Sequence, residues 1–192
     1  MQQEKMRQRG RTRQMVMCGL FVALIALGAF IKIPLPLVPV TLQVFFTMMA
    51  GLLLGPRLGA LSVIGYLVLG LAGLPIFTMG GGPSYVLQPT FGYLIGFALG
   101  AFVTGKIAYG VERPGFKRLL VANLLGLALV YVCGMVYYFL MSMFYLGNPI
   151  GLWPLLVSFC FVSAPGDIAL SILAAVLAKR MIPVMKREGI AQ

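Results

Sequence analysis

The chain is poor in charge, poorer in acid, and has no histidine. Of its 192 residues 10% are charged, with 15 Lys+Arg against 4 Asp+Glu. A soluble domain carries about 25% charged residues. At 60% hydrophobic and a mean hydropathy of +0.99, this chain has too few polar side chains to cover a water-facing surface. That excludes a soluble globular enzyme, and the same hydrophobicity argues against a disordered chain. Without His there is no imidazole base, and the scattered acids form no carboxylate pair for acid–base hydrolysis. Cys18, Cys133 and Cys160 each sit inside an apolar run, at spacings that suit neither a metal site nor an obvious disulfide. Gly105-Lys106-Ile107 lacks the hydroxyl and the upstream glycine of a phosphate loop, and the glycines do not match G-x-G-x-x-G. No metal, cofactor or catalytic residue is therefore expected. What remains is an all-α, polytopic membrane protein.

A spanning helix needs about 20 largely apolar residues. Six candidate spans follow, at residues 15–31, 41–54, 58–74, 90–109, 119–145 and about 165–182. Between the first two lies Lys32-Ile33-Pro34-Leu35-Pro36-Leu37-Val38-Pro39, whose prolines cannot sit inside a helix and predict an extended loop. Gly55-Pro56-Arg57 separates the second span from the third. A polar, glycine-rich connection, residues 75–89, precedes the fourth, and Gly147-Asn148-Pro149 ends the fifth. An outer loop or short helix then leads to Pro165-Gly166-Asp167, which opens the sixth. With six spans both termini share one side, and the loops on that side hold fourteen of the basic residues, against only Lys32 opposite. The positive-inside rule places both termini in the cytoplasm. The chain thus reads as a basic arm (1–14), one membrane domain (15–182) and a basic tail (183–192). The arm resembles a signal peptide in charge, but no small-residue cleavage site follows and it is read as retained. The basic residues spread over four cytoplasmic segments, which suits anionic lipid rather than nucleic acid.

Few residues are left to carry chemistry. Glu4, Glu112 and Glu188 fall in cytoplasmic segments, and only Asp167 lies in an apolar stretch. An ionisable group at membrane depth is costly and marks a functional site by default. The alternative is that Asp167, two residues after Pro165, only complements the helix dipole at the start of the sixth span. As a ligand group, its carboxylate would accept hydrogen bonds from N–H donors. Gly80-Gly81-Gly82, with Ser84, Tyr85, Gln88 and Thr90 after them, is either a flexible outer loop or the lining of a pocket. Thr41 and Gln43 open the second span, where a buried Gln needs either a neighbouring helix or a ligand as partner. Gly19 and Ala23, with Ala26 beyond, form a small-residue face on the first span that admits a close helix, internal or from another protein. Most methionines and aromatics read as filler, and Trp153 and the tyrosines near span ends as interfacial belts.

Several runs are similar to one known family. These are Ile33-Pro34-Leu35-Pro36, Pro39-Val40-Thr41-Leu42-Gln43, Ala50-Gly51 through Gly55-Pro56-Arg57-Leu58-Gly59-Ala60, Gly73-Leu74-Pro75-Ile76-Phe77, Pro89-Thr90, Gly92-Tyr93-Leu94 and Pro165-Gly166-Asp167. In this order, over residues 20–178, they resemble the BioY family, the biotin-binding S components of energy-coupling-factor (ECF) transporters. The resemblance implies the six-helix S-component fold with both termini inside. It also implies a partner complex of a T component and two ATPase subunits, with Gly19, Ala23 and Ala26 matching the surface that meets the T component. It points to biotin held by Asp167, with Gln43, Thr41, Ser84, Tyr85, Gln88, Gly81 and Gly82 lining the pocket. One position departs. Where the family often has a Lys three residues after the Asp, this chain has Leu170. Lys32 or the backbone N–H groups of Gly80–Gly82 are then the candidates for the ligand carboxylate. A related carboxylated vitamin or precursor, such as dethiobiotin or lipoate, is the alternative ligand. An intramembrane transferase would need a nucleophile, base or metal-binding carboxylate pair that these spans lack. A channel would need recurring polar residues along several spans.

Overall fold

The structure, a computed structural model, describes residues 2–33, 40–111, 114–147, 151–157 and 163–187. The prolines of the first loop, Cys160, Glu112 and Glu188 lie outside the described residues. The elements are α1 (Gln2–Phe30), a two-stranded antiparallel ribbon of β1 (Lys32–Ile33) and β2 (Val40–Thr41), α2 (Gln43–Leu71), a 3-10 turn (Pro83–Leu87), α3 (Phe91–Ala108), α4 (Phe116–Phe144), the short α5 (Leu152–Leu156) and α6 (Ala164–Arg187). The basic arm is not separate from the first span: α1 is helical from Gln2 onward.

Five of the described helices are long and apolar enough to cross a membrane, over Gly10–Phe30, Gln43–Leu71, Phe91–Ala108, Phe116–Phe144 and Ala164–Arg187. The difference from six lies in α2, which joins the second and third expected spans. Gly55 interrupts it with φ +82 and ψ −178, ahead of Pro56. Pro56 lacks an N–H and excludes helical geometry from the residue before it, and a side chain at Gly55 would resist that φ. The break is a full reversal. Gln43 Nε2 donates to the Tyr66 hydroxyl at 2.8 Å, whereas a straight helix would separate residues 23 apart by about 35 Å. A Cβ on Gly59 would stand 2.8 Å from Gly51 Cα. The element is therefore two antiparallel arms, 43–54 and 56–71, in backbone contact.

Small residues bring the remaining helices together. Gly92, Gly96 and Gly100 share one face of α3 and lie against α4. A Cβ on Gly96 would sit 2.8 Å from Val130 Cα, and one on Gly100 2.9 Å from the Gly126 carbonyl oxygen. Within lipid there is little hydrophobic drive between helices, so close backbone approach and van der Waals contact hold them. On its other side α3 backs onto the bend of α2. A Cβ on Gly105 would meet the Gly55–Pro56 backbone, and the Tyr109 hydroxyl donates to the Leu53 carbonyl at 2.6 Å. α6 packs between α4 and the first arm of α2, where Asn123 Nδ2 donates to the Ser171 carbonyl at 3.0 Å and Ser171 Oγ meets Met48 Sδ at 3.4 Å.

These pairings sort the helix ends. The bend at Gly55, the end of α3, the start of α4 and the end of α6 gather at one end, where Arg118 Nε donates to the Ile107 carbonyl and Lys186 lies 5.9 Å from the Tyr109 ring centre. The β1–β2 ribbon, the 72–90 connection and the start of α6 gather at the other.

Because the reversal holds Gly55 at a φ that side chains resist, Gly55→Ala should destabilise the detergent-purified protein by about 1–3 kcal/mol, the range for a non-glycine residue held in such backbone geometry. Thermal unfolding reads this, and an unchanged midpoint would contradict a tight reversal.

Candidate ligand-binding site

At the ribbon end the helices part around a cleft that encloses about 600 Å³, counting its open mouth. Its walls come from β2, the first arm of α2, the 72–90 connection and the helices α3, α4 and α6. Val40, Thr41, Gln43 and Val44 enter from β2 and α2, and Thr78 and Tyr85 from the 72–90 connection. Thr90, Tyr93, Leu94 and Phe97 enter from the start of α3, Leu127, Val130 and Tyr131 from α4, and Ser163 and Asp167 from the start of α6. The lining is mostly apolar with a few convergent polar groups, the composition typical of small-molecule sites. No Lys or Arg is among these wall residues.

Asp167 stands in the first turn of α6 and is 4% exposed. Its Oδ2 accepts a hydrogen bond from the Tyr131 hydroxyl of α4 at 2.5 Å. Its Oδ1 is buried and has no partner among the described residues. The position does suit the helix dipole, but the hydrogen bond its carboxylate accepts comes from another helix. Two further contacts hold α6 in register: Ser171 Oγ donates to the Asp167 carbonyl at 2.7 Å, and Asn123 reaches the Ser171 carbonyl.

Gln43 is engaged at both ends of its amide. Thr41 Oγ1 donates to Gln43 Oε1 at 3.3 Å, Gln43 Nε2 donates to Tyr66, and the Tyr66 hydroxyl donates on to the Ile76 carbonyl at 3.0 Å. Gln43 thus ties the arms of α2 together and also forms cavity wall.

The 72–90 connection is pinned to the top of α2. Phe77 is buried between Tyr66 and Tyr85, with ring centres 5.2 and 4.5 Å away, and lies flat against the space a side chain at Gly70 would fill. Gly82, at φ +106, donates its N–H to the Gly70 carbonyl at 2.8 Å. Thr78 Oγ1 and the Tyr85 hydroxyl share a hydrogen bond of 2.9 Å, and Lys32 Nζ donates to the Thr78 carbonyl at 2.7 Å. This last bond joins the ribbon to the connection over the cavity.

Of the residues singled out from sequence, Asp167, Gln43, Thr41 and Tyr85 line one cavity. Ser84 is exposed on the 3-10 turn, Gln88 is half-buried beyond it, and neither they nor Gly81 and Gly82 are among the wall residues. The glycines are there for backbone packing: a Cβ on Gly81 would run into the Leu74 and Gly70 carbonyls. Gly19 and Ala23 lie exposed on α1 and Ala26 is half-buried, with no atom within 4 Å of where a Gly19 side chain would begin. Tyr131, Tyr93, Thr78 and Ser163 escaped sequence reading. Tyr131 did leave a signal, since it sits in the middle of the fifth span, away from the interfaces where tyrosines gather.

Comparison with known proteins gives a consistent answer. A family profile described as the BioY family matches residues 1–187. A protein of Lysinibacillus sphaericus named "Probable biotin transporter BioY" is 48% identical over 176 residues, 91% of this chain and 89% of that one. A "Biotin transporter BioY" of Rhizobium etli is 35% identical over 178 residues, covering 89% and 94%. A crystal structure of the S-component for biotin from an ECF-type ABC transporter superposes with a TM-score of 0.76 at 31% identity, over 89% of this chain and 91% of that one.

Replacing Tyr66 by Phe would leave Gln43 Nε2 and the Ile76 carbonyl without their shared partner. Such a loss in a buried network costs about 1–3 kcal/mol. Thermal unfolding of Tyr66→Phe should show a lowered midpoint, and an unaltered one would mean that the Gln43–Tyr66 bond does not brace the arms of α2.

Proposed function

The chain belongs to the BioY family, and we propose that it captures biotin at the outer face of the membrane as the S component of an ECF transporter, with Asp167 as the polar anchor. It is a multi-pass protein of the prokaryotic plasma membrane and a transport protein rather than an enzyme. The observation that carries the site assignment is the buried Asp167 carboxylate, with one oxygen held by Tyr131 and the other left as an acceptor beside a mostly apolar cavity. Biotin supplies two ureido N–H donors for such an acceptor, an apolar body for Leu94, Phe97, Leu127 and Val130, and a carboxylate. Thr41, Gln43 and Tyr85 complete the wall around it. Ser84, Gln88, Gly81 and Gly82 lie on the connection that roofs it. Gly80 and Gly82 already donate their N–H groups to Phe77 and Gly70. Lys32, whose ammonium reaches cavity-lining Thr78, is thus the better partner for the ligand carboxylate. Because the relatives are named for biotin, the change to Leu170 is read as a local variation and not as a change of ligand.

In this reading the two arms of α2 cross separately, which makes six crossings and puts both termini in the cytoplasm. The basic residues near Arg57, Lys106, Arg118 and Lys179 then face anionic lipid, as the positive-inside rule requires. Gly19, Ala23 and Ala26 leave α1 open to close approach by the T component, and two ATPase subunits drive the conformational change that releases biotin inside.

Titration calorimetry on the purified chain tests the site. Asp167→Asn should weaken biotin binding by more than about 1 kcal/mol, the scale of a lost hydrogen bond to a charged group. An unchanged isotherm would remove Asp167 from the site. The chain alone should bind biotin without hydrolysing ATP, and ATPase activity from it would overturn the division of labour.

A further inference from the structure

Only one oxygen of the Asp167 carboxylate has a hydrogen-bond partner among the described residues, and that partner lies on a different helix. A free carboxylate can turn about its last bond and present both oxygens, the arrangement that grips a guanidinium in a fork. Here the Tyr131 hydroxyl holds Oδ2 at 2.5 Å while Oδ1 stays buried with no partner among the described residues. Tyr131 and Asp167 are both wall residues, and no cationic side chain in the described wall competes for the carboxylate. The α6 backbone beneath Asp167 is fixed in turn by Asn123, 0% exposed, through the Ser171 carbonyl.

We infer that Tyr131 is a positioning residue of this site: its hydroxyl holds Oδ2 of Asp167, fixes the plane of the carboxylate, and so leaves Oδ1 as the acceptor for a ligand N–H. The inference rests on the biotin reading above and deepens it. A ureido N–H meets the requirement. Tyr131 itself transfers nothing; its O–H is the donor that orients the carboxylate.

The test uses the full chain in detergent, with biotin as the probe and two readouts. Tyr131→Phe keeps the ring and removes only the hydroxyl. Its affinity for biotin should fall by about tenfold or more, the equivalent of one hydrogen bond to a charged group. The second readout is the infrared carboxylate band of Asp167, isolated by subtracting the spectrum of Asp167→Asn, which is practical because the chain has only 4 Asp+Glu. In ligand-free protein that band should move when Tyr131 becomes Phe. An unchanged affinity overturns the inference. So does a loss of affinity with the band unmoved, because Tyr131 would then act by packing alone. Wild-type protein that fails to bind biotin would instead sink the biotin reading, while the ligand-free band would still decide whether Tyr131 orients Asp167.

Discussion

A carboxylate buried in an apolar bundle is the most expensive group this protein carries. Asp167 is tolerable there only with a hydrogen-bond donor in place, and that donor, Tyr131, comes from α4 rather than from its own helix. The rest of the bundle serves that pairing. α4 and α6 must keep a fixed register, which the Asn123–Ser171 bond helps to set. α4 is held close by the glycine face of α3, and α3 is backed by the Gly55–Pro56 bend of α2 through Gly105 and Tyr109. This series of contacts sets where Tyr131 stands relative to Asp167.

At the same end of the molecule the 72–90 connection is held from below. The arms of α2 are joined at the top by Gln43 and Tyr66, and Tyr66 holds the Ile76 carbonyl above it. Phe77 fills the notch at Gly70 and carries Tyr85 into the cavity wall, where Thr78 meets both Tyr85 and Lys32. The connection is thus tied to the helices by interior hydrogen bonds, and Lys32 adds an exposed one from the ribbon.

Much of this was legible in the sequence, for identifiable reasons. Asp167 stood out because membrane depth makes any charge conspicuous, and Gly55-Pro56 because no helix runs undisturbed through that pair. The reversal at Gly55 was not legible as such, since whether a break bends or doubles back depends on the glycines at 51 and 59 meeting face to face. The glycine run suits either a flexible outer loop or a pocket lining, because composition permits close approach without saying to what, and here Gly81 approaches the end of α2. Tyr131 was missed because a tyrosine in a long apolar helix looks like filler until the tertiary fold places it across from a carboxylate. Apolar wall residues such as Phe97 and Val130 carry no sequence signature that separates them from core.

In this account the ligand is held by one oriented acceptor inside a mostly apolar cavity, so both its N–H donors and its compact apolar body contribute to binding. The most direct test is the identity of what the protein holds when it is purified. Native mass spectrometry of the chain, purified in mild detergent from cells grown on biotin, should show a bound species with the mass of biotin that is lost from Asp167→Asn. A bound species of another mass, such as dethiobiotin or lipoate, retained in place of biotin, would contradict the central claim.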